Sequence, residues 1–303
     1  MVEAIKKEIN ESTQLSGQRI ETIYFGGGTP SILPTDNIES ILQVINNKYQ
    51  VATDVEITLE ANPDDIDMMK AIAWKQMGIN RFSIGIQSFF EKDLRWMNRA
   101  HDSMQSRTCI ETIQAAGFSN FSIDLIYGTP GQTLEEWKEN LDIAIAYKVP
   151  HLSCYALTVE EGTALHHQIH HQKKTAVDTE VQSVCFEILQ QKTAAAGYRH
   201  YEISNFAIPG KESKHNSSYW SGAHYLGVGP AAHSFDGEKR RWNVANNIKY
   251  MQAIESGMSC AEEEVLSAYD QLNEYIMTSL RMDTGINLKH IDCLLYTSDA
   301  ADE

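Results

Sequence analysis

The segment FSIDLIYGTPGQTLEEWKENLDIAIAY, residues 121–147, contains the unit from which the fold is built. A short run rich in β-formers (121–126) enters the turn Tyr127-Gly128-Thr129-Pro130-Gly131, and a helical pattern follows at 134–147. Short apolar runs bounded by Gly and Pro predict strands, and longer ones with apolar residues three and four apart predict helices. Thr133, ahead of Glu135 and Glu136, is a helix start. The same unit recurs on both sides. Strands are expected at 20–25 (IETIYF), 55–59 (VEITL), 81–86 (RFSIGI) and 151–155 (HLSCY), with helices near 35–48, 65–77 and 103–116. Thr35-Asp36 before Ile38 supplies a second start signal, and Gly78 and Gly117 stand where helices should end. Strand–helix alternation predicts an α/β protein with a parallel sheet and helices outside it. Five or six such units fit a partial (β/α) barrel of the TIM type better than a doubly wound sheet.

Beyond Glu160 the rhythm changes. A helix is expected over 177–196, ending at Gly197. An aromatic, His- and Gly-rich stretch follows at 198–235, then helices near 246–256 and 262–280. The expected division is a barrel over 1–205 and a smaller C-terminal region over 206–292.

Composition narrows the partners. The chain has 303 residues, 42% of them hydrophobic, enough for a large core and against wholesale disorder. Its formal charge of −16 argues against nucleic acid, whose phosphates need Lys and Arg. No apolar run approaches the ~20 residues of a membrane span. Five scattered cysteines, Cys109, Cys154, Cys185, Cys260 and Cys293, suit a reducing, cytoplasmic setting and form no disulfide framework.

In parallel (β/α) folds the chemistry collects at the C-terminal ends of the strands. Here those ends are polar. The first runs into Gly26-Gly27-Gly28-Thr29-Pro30, where missing side chains let backbone N–H groups approach an anion, although a tight strand-to-helix turn has the same signature. The second ends in Glu60-Ala61-Asn62-Pro63, the third in Gln87-Ser88, and the fifth in Cys154-Tyr155-Ala156; the fourth carries Asp124. Arg99 could pair a carboxylate bidentately. Each residue alone is also explained as an ordinary loop-edge group; together they describe one polar ring.

YFGGGTPS (24–31), LEANP (59–63), IGIQS (84–88), NRAH (98–101) and IDLIYGTPGQT (123–133) resemble the radical S-adenosylmethionine coproporphyrinogen-oxidase family. HNSSYW (215–220) and YLGVGPAAHSF (225–235) narrow the resemblance to its haem-chaperone HemW branch. The resemblance implies that S-adenosylmethionine binds across the barrel top. Gly27, Gly28 and Thr29 would meet its methionine end, and Glu60, Gln87 and Asp124 its methionine and ribose portions. Arg99 would hold its carboxylate, and Ala156 would lie near the adenine. It also implies a haem-binding role for His215, with Tyr219 and Trp220 offering flat apolar area to a porphyrin. From residue types alone, a buried polar His among aromatic neighbours explains the same motif. His224 and His233 are secondary candidates.

The implied activity is binding haem and passing it to an acceptor protein. The alternative is oxygen-independent oxidative decarboxylation of coproporphyrinogen III through a 5′-deoxyadenosyl radical. Third is an unrelated barrel binding a carboxylate ligand. The family's [4Fe–4S] cluster sits on a CxxxCxxC triplet after the first barrel strand, and both that triplet and that first strand are expected to be missing from this sequence. The expectation is that Met1 is an internal methionine of a longer reading frame, with a cluster-less paralogue as the alternative. The tail CLLYTSDAADE (293–303) reads as a translated sequencing adapter. The chain as written is expected to hold no cluster and perform no radical chemistry. Finally, His166 and His170, like His167 and His171, are spaced to share a helix face, which suits a transition metal; the favoured reading is a solvated face.

Overall fold

The computed structural model describes residues 1–291; the expectation for the tail at 293–303 lies outside them. The helices are α1 (Val2–Glu11), α2 (Thr35–Lys48), α3 (Met68–Gln76), α4 (Glu91–Trp96), α5 (Ser103–Ala115), α6 (Leu134–Ala146), α7 (Ala164–His170), α8 (Thr179–Ala195), α9 (Lys214–Trp220), α10 (Asn247–Ser256) and α11 (Ala268–Ser279). The strands are β1 (Arg19–Phe25), β2 (Gln50–Ala61), β3 (Arg81–Gln87), β4 (Phe121–Tyr127), β5 (His151–Ala156), β6 (Arg199–Glu202), β7 (Asn205–Ala207), β8 (His233–Phe235), β9 (Lys239–Asn243) and β10 (Ala261–Val265). Seven strands form one sheet in the order β1-β2-β3-β4-β5-β7-β6. The pairs β2–β3, β3–β4 and β4–β5 are parallel, and β7 and β6 add as an antiparallel hairpin. This is the expected α/β architecture, an open, curled partial (β/α) barrel.

The chain divides into two compact units. Among the described residues, one comprises Met1–Ile23, Leu33–Glu56 and residues 213–291; the other comprises Tyr24–Ile32 and Ile57–Glu212. In the second, strand register sorts the side chains. Leu59, Phe82 and Phe121 are in register on one face, as are Ala61, Ile84, Ile123 and Leu152, and all are buried. The fully buried Trp74 meets Phe82 edge-on at 5.6 Å, and Phe118 meets Phe82 at 4.7 Å. The opposite face carries Glu60, Ser83, Ser122, Asp124, His151 and Ser153. Apolar residues cover the helix side, and polar ones line the concave side.

Local signals act largely as read. Thr133 caps α6 with a reciprocal capping box to Glu136. Gly78 (φ +103°) and Gly117 (φ +84°) close α3 and α5, the Ile79 and Phe118 amides reaching back to the Trp74 and Ile113 carbonyls. Thr35 is different: the cap position is Pro34, and Thr35 is already helical. The helix expected over 262–280 is also corrected. Its first part is β10, and only Ala268–Ser279 is helical. Glu262–Glu264 favours a helix by propensity alone, but Glu263 and Glu264 pair across the ladder with Arg241 and Arg240. Opposite charges directly across an antiparallel pair stabilise the strand.

In the first unit, Glu8 of α1 is the anchor. Its carboxylate accepts from the Gly229 amide (2.9 Å), Asn243 Nδ2 (2.7 Å) and the buried Tyr250 hydroxyl (2.6 Å). Among the described residues no helix is long and apolar enough to cross a membrane.

Candidate functional site

The polar face of the sheet gathers most of the expected residues. At the β1 end, the Tyr24 hydroxyl donates to Glu60 Oε1 (2.6 Å) and the Gly27 amide to Glu60 Oε2 (3.1 Å). Burial and the adjacent Glu60 charge raise the Tyr24 phenol well above its ordinary range, so it remains a donor. Gly27 therefore spends its N–H on Glu60. Gly27 (φ +72°) and Gly28 (φ +70°) are in the left-handed region, which suits glycine. Gly26 is required for a different reason. A Cβ there would stand 2.5 Å from Tyr24 Cε1 and 2.9 Å from Glu60 Oε1.

A second cluster surrounds Arg99. Its Nη2 donates to Asn62 Oδ1 (2.8 Å) and the Gly85 carbonyl (3.3 Å), and Asn62 Nδ2 reaches Thr29 Oγ1 (3.5 Å). A Cβ on Gly85 would fall 2.9 Å from Gln87 Nε2 and 3.1 Å from Arg99 Nη2. Gly85 thus leaves room for both side chains. Gln87 has φ +66°, beside a register irregularity between β3 and β4. Bulges of this kind re-aim side chains next to sites.

Asp124 completes the ring. Burial, with the negative charge of Glu60, pushes its carboxyl up to about 7; the Ser153 hydroxyl and the Arg99 guanidinium pull the other way. Ala156 is in register with Tyr127, on the opposite face of the sheet from Asp124. The ring thus offers carboxylates to an ammonium or a ribose diol, and a guanidinium to a carboxylate. Tyr24, Asn62 and Gly85 escaped single-residue reading. Each sits inside a recognised motif, but only pairing across strands reveals its task.

Gly85→Ala tests this placement. Gln87 and Arg99 present only side-chain tips to the new methyl, so the fold is expected to persist with an unchanged urea midpoint. Affinity for S-adenosylmethionine, the ligand that the resemblance implies, is to be read by calorimetry and should weaken about tenfold, in line with ~1.4 kcal/mol for a displaced contact pair. Unchanged affinity would refute the placement.

The His215 site is built within the other unit. The amides of Lys214 and His215 both donate to the Glu56 carboxylate, at 3.2 and 3.0 Å, fixing the start of α9. His215 Nδ1 lies 2.8 Å from Thr22 Oγ1, and Nε2 lies 3.0 Å from the Tyr219 hydroxyl. Burial pushes the imidazole down to about 4, so it is neutral at pH 7. Tyr219 is 42% exposed and stacks edge-on with Tyr225 at 4.9 Å. Arg281 covers the Trp220 ring at 4.5 Å. His224 and His233 are exposed, the latter stacked on Trp242.

The four-histidine segment forms α7 and its C-cap, with His166 and His170 ring centres 6.3 Å apart. Among the described residues no group of three or more His, Cys, Asp or Glu side chains gathers as a metal site. Cys109, Cys154 and Cys185 are buried on α5, β5 and α8, and burial raises each thiol. They do not fit a [4Fe–4S] donor set, which needs clustered thiolates, so no step through a cluster follows from these residues.

The chain was compared with known proteins. The model of the radical SAM superfamily matches residues 2–144. The heme chaperone HemW of Bacillus subtilis (strain 168) is 34% identical over 289 residues, 94% of this chain and 76% of that protein. The heme chaperone HemW of Escherichia coli (strain K12) is 32% identical over 277 residues, 90% and 71% of the two chains. Among solved structures, coproporphyrinogen III oxidase (HemN) from Escherichia coli, described as a radical SAM enzyme, superposes with a TM-score of 0.77, covering 96% of this chain and 70% of that one at 23% identity. That likeness establishes the fold. With these relatives and the polar sheet face together, the chain belongs to the radical SAM superfamily, closely related to the HemW/HemN-like family of heme chaperones and coproporphyrinogen oxidases.

Proposed function

We propose that this protein is a haem chaperone of the radical SAM type, holding S-adenosylmethionine on the polar sheet face and carrying haem at His215 for transfer to an acceptor protein. The relatives named heme chaperones support the role. The observation that carries the haem site is the neutral His215 imidazole, held between Thr22 and Tyr219. With Nδ1–H donating to Thr22 Oγ1, Nε2 keeps its lone pair, and a haem iron would replace the Tyr219 hydroxyl there. S-adenosylmethionine fits the donor set of the polar face: Glu60 and Asp124 for its ammonium and ribose hydroxyls, Arg99 for its carboxylate. Bound beside a cluster, it supplies radical chemistry in this superfamily. This chain's own residues bind and orient it, and Asp124 holds a proton that Glu60 disfavours releasing.

Haem titration tests the reading. His215→Ala is expected to shift the Soret band and weaken binding at least tenfold, the scale of one lost iron ligand. Wild-type affinity should stay flat from pH 8 to pH 5, because the imidazole is already deprotonated throughout. A mutant with an unaltered Soret band and affinity would remove His215 from the site.

A further inference from the structure

The end of β3 carries a constrained backbone. The Ser88 amide donates to the Ile86 carbonyl at 2.8 Å, two residues back, across Gln87 at φ +66°. An i→i+2 bond with a positive central φ is the rare, strained kind of γ-turn. A glutamine gains nothing locally from this conformation, which costs a non-glycine residue of order 1 kcal/mol. It persists because its surroundings over-determine it.

Those surroundings are specific. His101, 3% exposed, places Nε2 3.0 Å from the same Ile86 carbonyl. The carbonyl oxygen can only accept, so Nε2–H is the donor; burial, with the charge of Arg99, lowers the imidazole's affinity for a second proton. On the far side of Gln87, Ser88 Oγ donates to the buried Asp93 (2.8 Å), and the Phe89 amide donates to Asn140 Oδ1 (2.7 Å). Gln132 Nε2 joins Asp93 at 3.1 Å and, through Oε1, accepts the Gly128 amide at 3.1 Å. Residues 86, 88 and 89 are therefore pinned, and the turn between them is forced. Its product is a Gln87 carboxamide lying over Gly85, beside the Arg99–Asn62 pair.

We propose that His101 is a positioning residue which, with the Ser88–Asp93–Asn140 network opposite, holds Gln87 in a strained γ-turn so that its carboxamide is pre-formed for a bound adenosyl ligand. This rests on the ligand reading given above. Strain stored in the free protein pre-organises the contact, so ordering Gln87 adds no cost when the ligand arrives.

Two measurements on the full chain decide it. The first is the urea midpoint of Gln87→Gly against Gln87→Ala. At an unstrained position glycine is the less stable of the two; at a forced positive φ the order reverses. Gln87→Gly is expected to have the higher midpoint, with a Tm about 2–4 °C above that of Gln87→Ala. The reverse order overturns the strain. The second is S-adenosylmethionine binding by calorimetry. His101→Leu is expected to bind about tenfold more weakly, and His101→Gln, whose amide can still donate to Ile86, should recover most of that loss. In a Gln87→Ala background His101→Leu should weaken binding no further. Equal losses in both backgrounds would show His101 to be merely structural and overturn the positioning. A wild-type chain that fails to bind S-adenosylmethionine overturns the ligand reading, and the midpoint comparison still decides whether Gln87 is strained.

Discussion

Asp124→Asn is expected to stabilise the protein at pH 8 while weakening the proposed adenosyl ligand site. The folded carboxyl titrates at about 7, against 3.8 for the ordinary group. Between these values the unfolded chain has released the proton and the folded chain still holds it. The unfolded state binds fewer protons, so stability falls as pH rises from about 4 to about 7 and is level above that. Three units at ~1.4 kcal/mol each set an upper bound of about 4 kcal/mol. Asp124 is partly exposed, which screens its field, so a gain of about 2 kcal/mol is expected. Asparagine abolishes the titration. Urea unfolding at pH 8 should therefore favour the mutant, and the gap should close at pH 4. A difference that is constant with pH would mean that Glu60 and burial do not perturb Asp124 as described.

Gly227→Ala is the second large effect, in the opposite direction. A Cβ at Gly227 would lie 2.0 Å from the His233 carbonyl oxygen, with the carbonyl carbon and amide nitrogen at 2.8 and 2.9 Å. These are backbone atoms and cannot swing aside as the Gln87 and Arg99 tips can. The two segments are also stitched together by Ser234 Oγ, which accepts the Gly227 amide at 3.0 Å. Overpacking of this kind costs about 3 kcal/mol or more. The urea midpoint followed by tryptophan fluorescence should fall markedly. Gly229→Ala, at φ +110° with open space around it, should cost only about 1 kcal/mol. Equal midpoints for the wild type and Gly227→Ala would disprove the close approach. Part of the YLGVGPAAHSF signature thus serves packing.

The barrel was legible because its signals are local. The runs at 20–25, 81–86, 121–126 and 151–155 became β1, β3, β4 and β5 within a residue or two, and Gly78, Gly117 and Thr133 act where their conformational preferences place them. The β6–β7 hairpin was not legible: Asn205–Ala207 is a strand only because it pairs with β5 and β6. Nor was β10, which is a strand only because its backbone pairs with β9.

The candidate site divides the same way. Glu60, Gln87, Arg99, Asp124 and His215 were legible as residues out of place for packing, at strand ends or in a motif. Their states were not. The sequence by itself determined the strand–helix alternation, the family and the lack of a clustered cysteine triplet, because these depend on residue type and short spacing. The tertiary structure alone decided that Glu60 is claimed by Tyr24 and Gly27, that Asp124 holds its proton near neutrality, that Gln87 is forced into a strained turn, and that His215 is neutral between Thr22 and Tyr219. Each of these depends on groups distant in the chain brought within a few ångströms, where Coulomb fields, desolvation and excluded volume are steep functions of distance that no local pattern encodes.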